Sequence, residues 1–148
     1  MVVRTQLASE YDTAEILPLI QTYFPYTEMT FDTLLGRLHH PHFVFHKNVE
    51  NGQLTGYAEW QLVDAKQKMV RLNGVVVKPS FQKRGHATQL LRAGEAWAQK
   101  KKMKTLTLLV ASANVPAKQL YEKNGFSFVR MHLKKINGEK TEVWEKIL

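Results

Sequence analysis

The segment that leaves this chain the fewest choices runs from Val75 to Val110. It opens with the apolar run Val75-Val76-Val77, breaks at Pro79 and passes through the basic loop Gln82-Lys83-Arg84-Gly85. A helical pattern follows, with Ala87, Leu90, Leu91, Gly94, Trp97 and Ala98 on one face, and Thr105 to Val110 reads as a second strand. A strand, a helix and a strand in succession close with a right-handed crossover, which makes the two strands parallel. A ligand belongs at the C-terminal end of the first strand, where the chain turns into the helix.

The flanking segments are assigned by the same periodicities. A short strand near Val2 to Gln6 precedes a helix from about Glu10 to Tyr23, with Ala14, Ile16, Leu17 and Ile20 apolar and Pro18 as a candidate kink. Tyr23 to Thr27 reads as a loop, after which Thr30 caps a helix carrying Phe31, Leu34, Leu35 and Leu38 and ending at His39-His40-Pro41. Phe43 to Lys47, Leu54 to Val63 and Met69 to Lys78 form an antiparallel meander with a turn at Asn51-Gly52. Downstream, Asn114 caps a short helix through Lys123. Phe128 to Lys135 then pairs with Thr141 to Ile147 across Ile136-Asn137-Gly138-Glu139. The expected fold is α/β (α+β): a mixed, mostly antiparallel twisted sheet of about six to seven strands with helices on both faces. With 148 residues, 44% of them apolar, and no repeat or linker, residues 1–148 form one expected domain.

Composition removes several functions. The chain has no cysteine, so disulfides, thiolate metal sites and a cysteine nucleophile are excluded. No apolar stretch approaches membrane-spanning length and the first residues lack a signal peptide's apolar core, so a cytoplasmic protein without a membrane partner is expected. The net charge of +8 favours an anionic partner: nucleic acid, a membrane surface or a phosphorylated cofactor. Lys100, Lys101, Lys102 and Lys104 close a helix, where cations complement the dipole. His39, His40, His42 and His46 span a helix end, a proline and a strand start rather than one face, so no metal is expected. Ser80 and Ser112 lack a nucleophile elbow.

The loop from Pro79 to Thr88 suits a pyrophosphate. The first turn of a helix leaves backbone N–H groups unpaired, and with the dipole they form an anion site. Gly85 and Ala87 lack bulk, while Lys83, Arg84 and Thr88 add charge and a hydroxyl. A P-loop needs a second glycine and Gly-Lys-Ser/Thr, and a dinucleotide site needs Gly-x-Gly-x-x-Gly with an acid about 20 positions on; neither is present. On the residues alone, an ordinary helix start with a glycine in its loop reads equally well.

Gln82-Lys83-Arg84-Gly85-His86-Ala87, following a Val-x-Val-x-Pro strand, resembles the Gln/Arg-x-x-Gly-x-Gly/Ala coenzyme A motif of the GCN5-related N-acetyltransferases. Leu108-Leu109-Val110, Asn114, Ala117, Leu120-Tyr121 and Asn124-Gly125-Phe126 resemble that family's second conserved segment, in the expected order. The resemblance implies acetyl-CoA as cofactor and transfer of its acetyl group to a primary amine: a peptide N-terminus, a lysine, a polyamine or a small molecule. It implies that Val75, Val76 and Val77 lie beside the acetyl and pantetheine groups. It implies too that the N–H groups from Gln82 through Lys83, Arg84, Gly85, His86 and Ala87 to Thr88 hold the pyrophosphate, and that Asn114 meets the pantetheine arm or simply caps its helix.

The resemblance also makes Tyr121 the acid, since a phenol with a pKa near 10 can protonate a thiolate near 8.5. Without it, Tyr121 reads as core. Glu59, on the strand beside Val75 to Val77, is either the base or a solvent-facing strand residue. The ribosomal-protein alanine acetyltransferases, which the Asn114 to Phe126 segment resembles, place a Glu where this chain has Leu109. The acceptor is expected between the first interhelical loop, with Tyr23, Phe24, Tyr26, Glu28 and Asp32, and the final hairpin, with Met131, His132 and Lys134. Aromatics beside two acids suit a cationic amine. A monomer or homodimer is expected. The rivals are a basic nucleic-acid-binding domain and a coenzyme A-binding sensor without turnover.

Overall fold

The computed structural model describes residues 3–148; Val2, where the first strand was expected to begin, lies outside the described residues. The strands are β1 Arg4–Leu7, β2 Phe43–Glu50, β3 Gln53–Asp64, β4 Met69–Val77, β5 Thr105–Ala111, β6 Ser127–Met131 and β7 Thr141–Ile147. The α-helices are α1 Thr13–Tyr23, α2 Phe31–His39, α3 His86–Lys100 and α4 Val115–Lys123. All seven strands form one sheet in the order β1-β2-β3-β4-β5-β7-β6. Every neighbouring pair is antiparallel except β4 and β5, the parallel pair expected from the crossover through α3.

The period-two alternation along β3 divides the core. Ala58 and Trp60 point beneath α3, with Leu90, Leu91 and Ala98, whereas Tyr57 joins Ile16, Ile20 and Leu34 beneath α1 and α2. Gly94 sets the spacing on the α3 side, since a Cβ there would stand 2.0 Å from the Trp60 ring. Helix α2 starts as expected, the Thr30 hydroxyl accepting from the Thr33 N–H at 3.2 Å.

Two bulges shape the site. Between β2 and β3 the register slips at Asn48/Val49, leaving Thr55 as the extra residue, and between β3 and β4 it slips at Glu59/Trp60, leaving Asn73. The last hairpin is shorter than its sequence suggests. Strand β6 carries a bulge at Phe128/Arg130 and ends at Met131, and Ile136 to Glu139 close a separate two-residue turn on Asn137 and Gly138, both left-handed.

Strands β4 and β5 pair only from Met69 to Leu72 with Thr105 to Leu108. Beyond that they diverge, while β5 stays paired with β7 to its end. The C-terminal half of β4 therefore has a neighbour on one side only.

Candidate active site

The open edge of β4 can be assigned residue by residue. The Lys78 N–H donates to the Thr55 carbonyl at 2.8 Å, so Lys78 and Val76 turn their main-chain groups toward β3. By alternation Val75 and Val77 turn theirs into the gap beside β5. Val75 is half-buried and Val76 and Val77 are buried, which screens these groups from bulk water. The Gln82 amide donates to the Val77 carbonyl at 2.9 Å and folds the following loop back onto the strand end.

That loop opens one wall of a cleft of about 940 Å³ whose other wall is α4, including Gln119, Leu120 and Lys123. Lys83 and Gly85 are both left-handed, at φ 62° and 81°. For the lysine this costs about 1 kcal/mol, whereas glycine bears it freely. Gly85 is the N-cap of α3 and offers no side chain, so the N–H groups of Ala87 and Thr88 face the cleft uncapped. A Cβ on Gly85 would meet nothing within 4 Å, so open space lies over the turn. The Thr88 hydroxyl accepts from the Asn124 amide at 3.4 Å, tying the start of α3 to the end of α4.

Two side chains of the motif point elsewhere. His86 is buried, its Nδ1 2.9 Å from the Thr55 hydroxyl and its carbonyl accepting from the Asn48 amide at 2.9 Å. It anchors the start of α3 to the β2–β3 bulge and leaves only main chain for the cleft. Arg84 turns to the buried Glu50 at 2.7 Å and lies over the Phe81 ring, so its charge is already committed.

A second cleft, of about 470 Å³, lies beside the gap and is lined by Leu109, Asn114 and Tyr121 among others. Asn114 caps α4, its Oδ1 accepting from the Ala117 N–H at 3.3 Å. Tyr121 lies edge-on to Phe126, with ring centroids 6.0 Å apart, and is 8% exposed. Burial, and to a lesser degree the neighbouring Tyr26, pushes its phenol up to about 12, so it holds its proton at neutral pH.

Of the residues expected to grip an acceptor, Tyr23, Phe24 and Tyr26 line this cleft, with the Phe24 ring lying against Gly74 of β4. Glu28 is exposed and is not part of the lining, and neither is Asp32. From the final hairpin Ile136, Glu139 and Thr141 reach the cleft in place of Met131, His132 and Lys134.

Glu59 does not face solvent: it is 4% exposed, and its Oε2 accepts from Arg37 Nη1 at 2.6 Å and Asn73 Nδ2 at 2.8 Å. Asn73 also donates to Gln61, and Arg71 donates to both Asn73 and Gln61. Arg37, Gln61, Arg71 and Asn73 line the cleft in front of Glu59. Sequence reasoning missed the two arginines. The signal was available for Arg71, because in an antiparallel meander Arg71 and Asn73 share a face with Glu59 and Gln61.

The acetyltransferase (GNAT) family model matches residues 8–126. No curated protein sequence matches the chain significantly. Among solved structures, the ribosomal-protein-S18-alanine N-acetyltransferase from Escherichia coli superposes with a TM-score of 0.81 at 20% identity, over 99% of this chain and 94% of that one. The PaiA N-acetyltransferase from Thermoplasma acidophilum, in complex with coenzyme A, has a TM-score of 0.81 at 19% identity over 100% of both chains. A spermidine N-acetyltransferase chimera from Vibrio cholerae and hSSAT has a TM-score of 0.81 at 19% identity, over 98% of this chain and 95% of that one. These likenesses establish a shared fold.

Proposed function

Because this chain belongs to the acetyltransferase (GNAT) family, which uses acetyl-CoA, we propose that it is an N-acetyltransferase acting on a primary amine, with residues 1–148 serving as one catalytic domain. The observation that carries this reading is the gap between β4 and β5, which ends at an uncapped, glycine-started helix. The residues fit coenzyme A: open space lies over Gly85 and the larger cleft leads from there to Val77.

In this reading the N–H groups from Gly85 to Thr88 hold the pyrophosphate, with Lys83 beside them. The main-chain groups of Val75 and Val77 bind the pantetheine arm as an added strand would, and Asn114 orders the loop beside it. When bound, the cofactor supplies an acetyl thioester. Tyr121, protonated well beyond neutral pH, holds a donatable proton at its phenol oxygen beside the gap. Tyr23, Phe24 and Tyr26 enclose the acceptor and exclude water from it. Glu59 is a positioning residue: it fixes Arg37 and Asn73, and the acceptor amine loses its proton to water.

Calorimetry with acetyl-CoA and with duplex DNA, followed by free-thiol release across an amine panel, tests the proposal. Micromolar cofactor binding with thiol release supports it. Binding without release for any amine makes the chain a sensor, and binding of DNA in place of the cofactor ends the reading.

A further inference from the structure

The second cleft holds a cation that has no carboxylate. Arg71 is half-buried and is in no ion pair among the described residues; its guanidinium bonds only to the neutral amides of Asn73, at 2.8 Å, and Gln61, at 3.1 Å. Those two bonds use Nε and one hydrogen of Nη2, so three of its five N–H donors are left over. The nearest acid, Glu59, is already bonded by Arg37 and Asn73. Glu139 stands on the exposed turn across the cleft and forms no ion pair among the described residues. Burial pulls the Arg71 pKa below its usual value; the charge of Glu59 opposes this and that of Arg37 adds to it. A half-buried guanidinium with spare donors facing a cavity is stabilised by an anion that can accept two parallel bonds.

We propose that Arg71, held in place by Gln61 and Asn73, binds a carboxylate on the acceptor, so that the substrate is a small molecule or chain end carrying both an amine and a carboxylate. The proposal rests on the acetyltransferase reading of the same cleft. A volume of about 470 Å³ accommodates a molecule the size of an amino acid or dipeptide. Glu139 on the rim favours the ammonium of that same molecule as it enters. Polyamines and simple alkylamines bring no anion and leave Arg71 unpaired.

The test uses matched pairs: α-, β- and γ-amino acids and dipeptides, each beside its C-terminal amide. The intact protein is assayed for thiol release from acetyl-CoA and, by calorimetry, for binding of the N-acetylated acids and amides. At least one acid is expected to exceed its amide by about tenfold or more in kcat/KM, through KM. In Arg71→Met that ratio should collapse toward one, and Arg71→Lys should restore part of it. The wild-type ratio needs no variant, so misfolding of Arg71→Met leaves the test intact. Turnover of amines with acids and amides treated alike overturns the carboxylate site and leaves the transferase reading standing. Selective, Arg71-dependent binding of the acids without thiol release for any amine upholds the anion site and sinks the transferase reading. If neither binding nor turnover distinguishes acid from amide, the inference is overturned.

Discussion

The two clefts, one at the C-terminal end of β4 and the other beside the β4–β5 gap, are built from different materials. The larger is walled by main chain on the side opposite α4: an uncapped helix start, a left-handed glycine and a strand edge. Its two motif side chains with most to offer, His86 and Arg84, are turned toward Thr55 and Glu50. The smaller is walled by residues of α1, α2, β3, β4, β5, α4 and β7 and of the loops between them, cross-linked by hydrogen bonds around Glu59 and Asn73. A main-chain site tolerates change in most of its side chains and fails when the backbone cannot hold its shape. A side-chain site fails by losing single groups.

The largest effect is expected in the smaller cleft. Tyr121→Phe should lower kcat by about 100-fold or more while coenzyme A affinity holds. Because the phenol lies near 12, wild-type kcat should stay level through pH 10, where an ordinary tyrosine titrates. An unaltered rate, or a limb at pH 10, removes Tyr121 from the chemistry. The same shift has a stability sign. The unfolded chain releases this proton near pH 10 and the folded chain only near 12, so the unfolding free energy should fall as pH rises through that window.

Next in size, Glu59→Gln leaves Arg37 without its buried partner and should cost about 2 kcal/mol in denaturant unfolding. The acid limb of the kcat profile should survive in this variant; its disappearance would make Glu59 the base. In the main-chain cleft, Gly85→Val forces a β-branched residue into φ 81° and places a side chain in the open space over the turn. At about 1–2 kcal/mol of backbone cost, coenzyme A affinity should drop roughly tenfold by calorimetry. Arg84→Ala is the smallest: with its charge committed to Glu50, cofactor affinity should change by less than about threefold, and a salt titration should show Lys83→Ala losing more. If Arg84→Ala proves the more damaging of the two, the contrast between the clefts fails.

The contrast also explains what was legible. The parallel pair, the helix start at Gly85 and the cap at Asn114 were readable because each follows from local pattern: apolar runs, a single glycine and a capping residue a few positions apart. The left-handed turns at Asn51-Gly52 and Asn137-Gly138 were readable for the same reason. The acceptor cleft was misread as acidic because Glu28 and Asp32 are close in sequence to Tyr26, whereas Arg37 and Arg71 come from elements 34 positions apart. No local pattern records that the β3–β4 bulge swings Asn73 between Glu59 and Gln61, or that Arg84 finds Glu50.

By itself the amino-acid sequence determined the order of elements, the parallel pairing of β4 with β5 and the glycine at which α3 starts, since hydrophobic period and backbone stereochemistry act over a few residues. Tertiary structure alone decided which charges face the cavity and which are consumed in pairs. Those outcomes depend on distances between strands and helices that no short stretch of chain encodes.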